Sequence, residues 1–470
     1  MAGLLFWWLI FYSTLAFDPS AALEFSAAAN FTIKDTTATT TEIMATPDAP
    51  LKLRFVTWNT ATKYPEQDLR QLLGLTHFAT SKQLADIHII GLQEVKSQPQ
   101  NLVLDMIFED PWTKSIREIL KDFDYVRLKT QKLQGLVLNV FFLRKHLTHL
   151  RNIETQYTKT GFGGMWGNKG AISVRFNLYG VDICIVDAHL TAHDQLLADR
   201  IDDYNTIIRE HLYTVPEKSH IFFNDYVFWL GDLNFRIGEG FNATEIDELV
   251  KKNQLDVLLE KDQLKSVMAN NEAFAVFTEE KITFHPTYKY EFASQDYDLK
   301  RRPAWTDRIL YKVNKDVYED VELKAVQYNY KSHPNYVQSD HKPVSAEFDI
   351  VVRSTKTADG IEFDPITAWY IDEENVVSYK FLGDAKSCNG DWIGLYNEGF
   401  SSIDEYLVYE YVGRGKEAET EPQSTLEKTY FGDSALRSPG MYRLVYVAQR
   451  GDIMSILGMS DSFSAHRRQT

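Results

Sequence analysis

Five places along the sequence join a short apolar run to an abrupt polar ending, and the endings hold residues that move protons, hold cations or grip anions. Trp58-Asn59 closes the first, Gln93-Glu94 the second, and Asp187-Ala188-His189-Leu190-Thr191-Ala192-His193 the third. Trp229-Leu230-Gly231-Asp232-Leu233-Asn234-Phe235-Arg236 and Ser339-Asp340-His341-Lys342-Pro343 complete the set. Each ending alone has an ordinary explanation, because Asn, Asp and Gly are what turns demand. Five in one stretch describe a site. Carboxylates beside imidazoles and carboxamides suit hydrolysis of a phosphate ester, which needs a cation on the phosphate and leaving oxygen and a water held in line. Glu94 is the best metal carboxylate, with Asn59 as a neutral oxygen ligand, and oxygen-only ligation suits Mg²⁺. Asp232 is expected to position or deprotonate the water, and Asn234 to donate to a phosphoryl oxygen. His189 and His341, when protonated, would stabilise the same oxygens.

The elements that carry these endings are legible by period. Leu53–Trp58 alternates as a strand does, and Asp86–Leu92 is apolar apart from Asp86 and His88, as a central strand is. Leu136–Leu143, Gly170–Phe176, Val181–Ala188, Tyr226–Leu230, Trp305–Tyr311 and Val344–Val351 read as further strands. Helices are expected over Gln67–His77, Pro111–Lys121, Leu196–Leu212 and Thr244–Lys252. Strands and helices mixed at this spacing make a layered α/β (α+β) body. After Val352 the segment 353–360 is polar and turn-rich, a linker by composition. Beyond it only short β runs follow (Thr367–Tyr370, Val376–Phe381, Trp392–Leu395, Tyr406–Tyr411 and Met441–Val447), so an all-β sandwich is expected there.

The whole chain sets limits. At 470 residues it is long for one core. A formal charge of −16 argues against a nucleic-acid binder, which needs a broad basic surface to displace counterions. Only two cysteines occur, Cys184 in an apolar run and Cys388 in a polar turn, so a disulfide framework is not expected. Neither has an arginine six positions on, which removes a cysteine-nucleophile phosphatase loop. The N-terminus conflicts with a cytosolic reading. Leu4–Phe17 is an uncharged apolar run followed by small residues, of a length that suits a signal peptide, yet no Lys or Arg precedes it. Three readings of residues 1–50, with their Thr-rich tract at 35–41, stay open: a cleaved signal, an uncleaved anchor, or an extension upstream of a start at Met44. The sequons at Asn30 and Asn242 matter only on a lumenal route.

In order and spacing, Asn59, Glu94, His189, Asp232 with Asn234, and Asp340 with His341 resemble the DNase I-like fold family of nucleases and inositol polyphosphate 5-phosphatases. Two strings are similar to 5-phosphatase signatures: Val227-Phe228-Trp229-Leu230-Gly231-Asp232-Leu233-Asn234-Phe235-Arg236, and Arg301-Arg302-Pro303-Ala304-Trp305-Thr306-Asp307-Arg308-Ile309-Leu310, with Thr306 where many members have Cys. Gly167-Asn168-Lys169-Gly170-Ala171 and Pro286-Thr287-Tyr288-Lys289-Tyr290 add family strings, and the resemblance covers residues 51–352. It implies a four-layer sandwich that removes the 5-phosphate of inositol lipids, phosphatidylinositol 4,5-bisphosphate and 3,4,5-trisphosphate, or of soluble inositol phosphates, with Mg²⁺ and no covalent intermediate. Asp307 is expected to orient His341, Asp187 to support His189, and Asp340 to lie near the metal. Asn168, Lys169, Tyr288, Lys289, Lys300 and Arg301 would bind the neighbouring ring phosphates. The loop Phe162-Gly163-Gly164-Met165-Trp166 either dips into the bilayer or packs locally.

Residues 361–466, through Asp391-Trp392-Ile393-Gly394-Leu395-Tyr396 and Gly440-Met441-Tyr442-Arg443-Leu444-Val445-Tyr446, resemble the SKICH domain, an immunoglobulin-like β-sandwich. That resemblance implies targeting to a membrane or protein partner. Cytoplasmic work, peripheral on membranes, is expected because inositol lipid head groups face the cytosol and the cysteines imply no disulfides, unless the N-terminal run acts as a secretory or endoplasmic-reticulum signal or anchor. A nuclease on the same fold would share Glu94, Asp232, Asn234 and His341. The acidic charge and the Tyr288-Lys289 string weigh against it, as the filled polar positions weigh against a dead scaffold.

Overall fold

The computed structural model describes residues 50–75, 84–96, 109–161, 166–354, 359–413 and 426–468, with the side chains of 166–168 left aside. The N-terminal readings, the loop residues 162–165 and the side chains of Trp166 and Asn168 lie outside what is described. Two sheets form the body. One runs β10-β11-β1-β2-β4-β3, with β1 (Leu51–Asn59) parallel to β2 (Ile87–Gln93), flanked by β4 (Leu136–Leu143), β3 (Tyr125–Leu133), β11 (Val344–Ile350) and β10 (Ala325–Ser332). The other holds β5 (Leu150–Thr160), β6 (Trp166–Leu178), β7 (Val181–His189), β8 (Tyr226–Asp232) and β9 (Asp307–Val313) in that order, with β7 parallel to β8.

Alternation decides what each strand buries. Phe55, Ile87 and Ile89 of the first sheet meet Ile183, Ile185, Phe228 and Leu230 of the second in one apolar core, the rings of Phe55 and Phe228 lying 4.7 Å apart. The opposite faces carry the outer layers. Trp58 and Ile90 pack on Trp112 and Ile116 of helix α1 (Pro111–Lys121), whose first turn is capped by Asp110 accepting from the Thr113 amide. Val186 and Trp229 pack against Tyr204 and Ile207 of α2 (Leu197–Glu210). Helix, sheet, sheet and helix give the four-layer DNase I-like sandwich.

One expected helix is absent. Gln67–Leu75 runs as turns, because its peptide groups are claimed by side chains: Arg54 donates to the Leu72 carbonyl and Tyr336 accepts from the Leu72 amide. Gly74 at φ +73° then turns the chain away. The last two residues of the expected helix, 76 and 77, lie outside the described residues. In the body, three strands the sequence did not announce, β3, β5 and β10, each carry a register shift against their neighbour.

The C-terminal residues form a three-stranded sheet, β12 (Gly360–Phe363), β14 (Asn375–Leu382) and β17 (Glu427–Phe431), facing β13 (Ala368–Tyr370), β20 (Phe463–His466), β18 (Gly440–Arg450), β19 (Ile453–Met459), β15 (Trp392–Asn397) and β16 (Val408–Tyr411). Between them pack Trp369, Tyr379, Leu395, Phe431 and Tyr446. This module meets both sheets of the body. Met454 of β19 pairs with Ile153 of β5, and Ser402 bridges Arg127 of β3. Tyr396, Phe400, Ile403, Val445, Val447 and Ile456 enter the body's own core.

Candidate active site

Register alone assembles the centre. His189 of β7 pairs with Asp232 of β8, and Asp232 with Asp307 of β9, so three polar side chains stand in one row at the end of the second sheet. On the first sheet Asn59 pairs with Gln93, which puts Asn59 and Glu94 opposite that row. The two halves touch where Asn59 Nδ2 donates to Asp232 Oδ2 at 3.0 Å and to Glu94 Oε1 at 3.1 Å. Gly231, at φ +137°, lets β8 approach β7: a Cβ there would lie 1.9 Å from the Ala188 carbonyl oxygen. Glu94 takes the left-handed conformation at φ 51°, held by the Thr62 amide donating to its carbonyl at 2.9 Å. The loop with Asp340 and His341 is stitched to β1: Ser339 Oγ donates to the Asn59 carbonyl at 2.6 Å and Trp58 Nε1 to the His341 carbonyl at 3.0 Å.

The two histidines carry different charges. Burial alone would lower the pKa of His341, but Asp307, whose Oδ2 lies 2.9 Å from Nδ1, and Asp232, 3.9 Å from Nε2, outweigh it and raise it to about 9. His341 is therefore an imidazolium at neutral pH. His189 goes the other way: burial and then Lys169 lower its pKa against Asp232 at 3.3 Å, so it stays neutral. The Lys169 ammonium sits against His189 Nε2, with its own pKa lowered by burial to about 8. Burial pushes the Asp232 carboxyl up, yet His341, His189 and Lys169 together hold it well below the usual carboxylate range.

Several expectations meet their geometry here. Asp187 makes no bond to His189; its Oδ1 accepts from Gln93 Nε2 at 2.7 Å, so support of His189 is replaced by a bond to the other sheet. Lys169 does not stand apart with the ring-phosphate cations, because its ammonium lies at the centre itself. Lys289 lies between Asp298 at 3.5 Å and Asp340 at 3.9 Å, and Lys300 and Arg301 are exposed. Tyr288 packs its ring 4.5 Å from that of His341. Burial, with Glu94 adding to it, raises the Asp340 carboxyl against the pull of His341 and Lys289. Arg236 is a residue that reasoning from sequence quoted but did not single out. Its Nη2 donates to Asn234 Oδ1 and its Nε to the Asn234 carbonyl at 3.0 Å, while its guanidinium covers the Tyr288 ring at 4.7 Å. With Asn234 Nδ2 donating to the Leu190 carbonyl at 3.1 Å, the carboxamide is locked in one orientation.

A divalent cation has a chemically suitable seat. Asp232, Asp307 and His341 each offer an atom within 4.8 Å of the others, but His341 Nδ1 and Asp307 already satisfy each other. Glu94, with its side chain 44% exposed, is the carboxylate that opens to solvent. Asp340 adds a second carboxylate, the oxygen donors a hard cation takes, but Asn59 turns its Nδ2 to Glu94 and Asp232 while its Oδ1 accepts from the Ala61 amide at 3.0 Å, so the expected oxygen ligand from Asn59 requires its carboxamide to turn over.

The site thus sets a buried carboxylate between an imidazolium and a lysine, with a solvent-open carboxylate opposite, at the strand ends of a two-sheet sandwich. Residues 56–347 match endonuclease/exonuclease/phosphatase family 2, and residues 361–465 match the SKICH domain. The chain is 33% identical to mouse inositol polyphosphate 5-phosphatase K over 434 residues, covering 89% of this chain and 91% of that protein. It is equally 33% identical to mouse phosphatidylinositol 4,5-bisphosphate 5-phosphatase A, over 94% of this chain but 44% of that longer protein. Among solved structures, the inositol polyphosphate 5-phosphatase domain of SPsynaptojanin, in complex with inositol (1,4)-bisphosphate and calcium, superposes with a TM-score of 0.54 at 30% identity, over 64% of this chain and 84% of that one. A Cimex nitrophorin ferrous NO complex also superposes, with a TM-score of 0.52 at 27% identity, over 65% of this chain and 100% of that one. The chain belongs to the inositol polyphosphate 5-phosphatase family and carries a SKICH domain. No helix among the described residues is long and apolar enough to cross a membrane.

Proposed function

We propose that residues 51–352 hydrolyse the 5-phosphate of phosphatidylinositol 4,5-bisphosphate, phosphatidylinositol 3,4,5-trisphosphate and soluble inositol polyphosphates, by attack of water without a covalent intermediate. The fold does not carry this reading, since a nitrophorin shares it. The observation that carries it is the Asp232 carboxylate, wholly buried yet ionised, facing the His341 imidazolium. Asp232 orients the attacking water; its low pKa makes it a holder of that water more than a proton store. His341 and Lys169 bring positive charge to the phosphoryl oxygens, and Asn234, locked by Arg236, keeps a second Nδ2 hydrogen for the same group. Glu94 and Asp340, with Asn59 once its carboxamide turns its oxygen inward, would hold Mg²⁺. When bound, that cation neutralises the phosphate and the leaving oxygen.

Tyr288, Lys289, Lys300, Arg301 and Asn168 are assigned to the neighbouring ring phosphates. The protein works peripherally on the cytoplasmic face of membranes, where inositol lipids are its partners. Residues 361–466 form the module that contacts a membrane or protein partner. The test is phosphate release by the full chain from a panel of inositol lipids and soluble inositol phosphates, with Mg²⁺ or EDTA, beside Asp232→Ala. Metal-dependent release confined to 5-phosphorylated compounds and lost in the variant is expected. A folded protein that releases none is a scaffold.

A further inference from the structure

Directly beneath the reaction centre, one polar bond crosses the apolar space between the sheets. Gln93, the last residue of β2, donates from Nε2 to Asp187 Oδ1 on β7 at 2.7 Å, and to Thr57 Oγ1 on β1 at 3.2 Å. All three side chains are buried. The pocket for the carboxyl is made by the absence of a side chain across the gap: a Cβ on Gly91 would lie 2.8 Å from Asp187 Cγ. Asp187 Oδ2 meets no partner among the described residues. A carboxyl buried with one hydrogen bond is a costly choice where leucine would pack, and leucine would leave the Gln93 amide with its Thr57 bond and one unsatisfied hydrogen.

The position of this bond gives the cost a purpose. Gln93 immediately precedes Glu94, and Asp187 stands two residues before His189 on a strand registered with β8 so that Leu230 faces Asp187 and Asp232 faces His189. The two half-sites rest on different sheets, and a slide of one past the other changes the distance across which the phosphate is gripped. We infer that Asp187 is a positioning residue for the reaction: through Gln93 it ties the strand end bearing Glu94 to the strand end bearing His189 and Asp232, and so sets the gap between the two halves of the site. The inference rests on the phosphatase reading. Burial, set against Gln93's hydrogen bond, raises the Asp187 carboxyl well above its ordinary range, so asparagine, neutral and with an oxygen for Gln93, is its close stand-in.

The test compares full-length Asp187→Leu, Asp187→Asn, Gln93→Met and the Asp187→Leu/Gln93→Met double variant on a soluble 5-phosphorylated inositol phosphate with Mg²⁺, with circular dichroism checking the fold. Asp187→Leu is expected to lower kcat about 10- to 100-fold with KM within about threefold, the signature of misplaced reacting groups. Asp187→Asn should return kcat to within about threefold of wild type, and the double variant should fall no lower than the worse single, because both remove one bond. A folded Asp187→Leu with wild-type kcat, a loss carried by KM, an Asp187→Asn as impaired as the leucine variant, or losses that multiply would each overturn the inference. Should Asp187→Leu not fold, Gln93→Met decides, with unchanged kcat counting against it. A wild-type chain that releases no phosphate removes the phosphatase reading and this inference with it, whereas an active wild type beside an active leucine variant removes this inference alone.

Discussion

The reaction centre and the seam with the C-terminal module both join parts of the chain far apart in sequence, and both use charged side chains to do it. At the seam the charges are matched. Arg117 reaches Glu109 and Glu405, each at 2.8 Å, and Arg127 reaches Glu109 at 2.5 Å and Asp404 at 3.3 Å. The Ile403 amide donates to the Arg127 carbonyl at 3.0 Å, and Arg144 lies 4.4 Å over the Phe400 ring while donating to its carbonyl. At the centre the charges are in conflict. A lysine is pressed on an imidazole that burial, and then this lysine, keep neutral, and a neighbouring imidazole is held charged between two carboxylates. Charges that only hold parts together find opposite partners, and charges kept in tension mark where chemistry is done.

That contrast breaks if a centre variant behaves like a seam variant. Asp232→Ala should lower phosphate release at least ~10³-fold and also lower the melting temperature, since it leaves the His341 imidazolium and the Lys169 ammonium buried without their carboxylate. Phe400→Ala should touch stability alone, which falls by about 3–5 kcal/mol, read by denaturant unfolding, with kcat unchanged. A drop in kcat with intact stability would mean that the seam communicates with the site.

Asp307→Asn sharpens the difference between the histidines. Without that carboxylate the pKa of His341 falls from about 9, so the alkaline limb of the rate profile moves to lower pH, and kcat drops about 100-fold at neutral pH. The sign for stability follows. His341 is raised above its ordinary 6.5, so its contribution is full below pH 6.5 and is lost as pH rises through about 9. The wild-type melting temperature should therefore decline across that window more than that of Asp307→Asn. The smallest effect belongs to Asp404→Ala at the rim of the seam, where a side chain 65% exposed makes a pair worth less than about 1 kcal/mol, detectable only at low salt.

Much of the centre was legible because parallel strands end together: a polar residue after an apolar run names both the strand and the place. The residues that escaped did so for physical reasons. β3, β5 and β10 carry bulges between Arg127 and Lys129, Arg151 and Glu154, and Tyr328 and Lys331, and an extra residue inverts the in–out alternation on which recognition depends. Asn152 and Asn329 adopt positive φ within two of these irregularities. Arg236 sat inside a recognised string, but nothing in its spacing says that it clamps Asn234. Asp187 and Gln93 lie 94 positions apart, and their bond exists only once the sheets face each other. Gln67–Leu75 has helical spacing that lost to Arg54, a buried cation 18 residues before the Leu72 carbonyl it holds.

The seam has a further consequence, for shortened forms of this chain. β3 and β5 stand at the edges of their two sheets, and it is the module that meets them, through Ser402 and Met454. A premature stop codon anywhere between Val352 and Asp391 would spare every residue of the reaction centre and still strip both edges of their cover. The product would carry open strand edges above an uncovered apolar core, the combination that seeds pairing between copies. Shortening the chain there would thus threaten the fold of residues 51–352 itself, and not only whatever the module contacts.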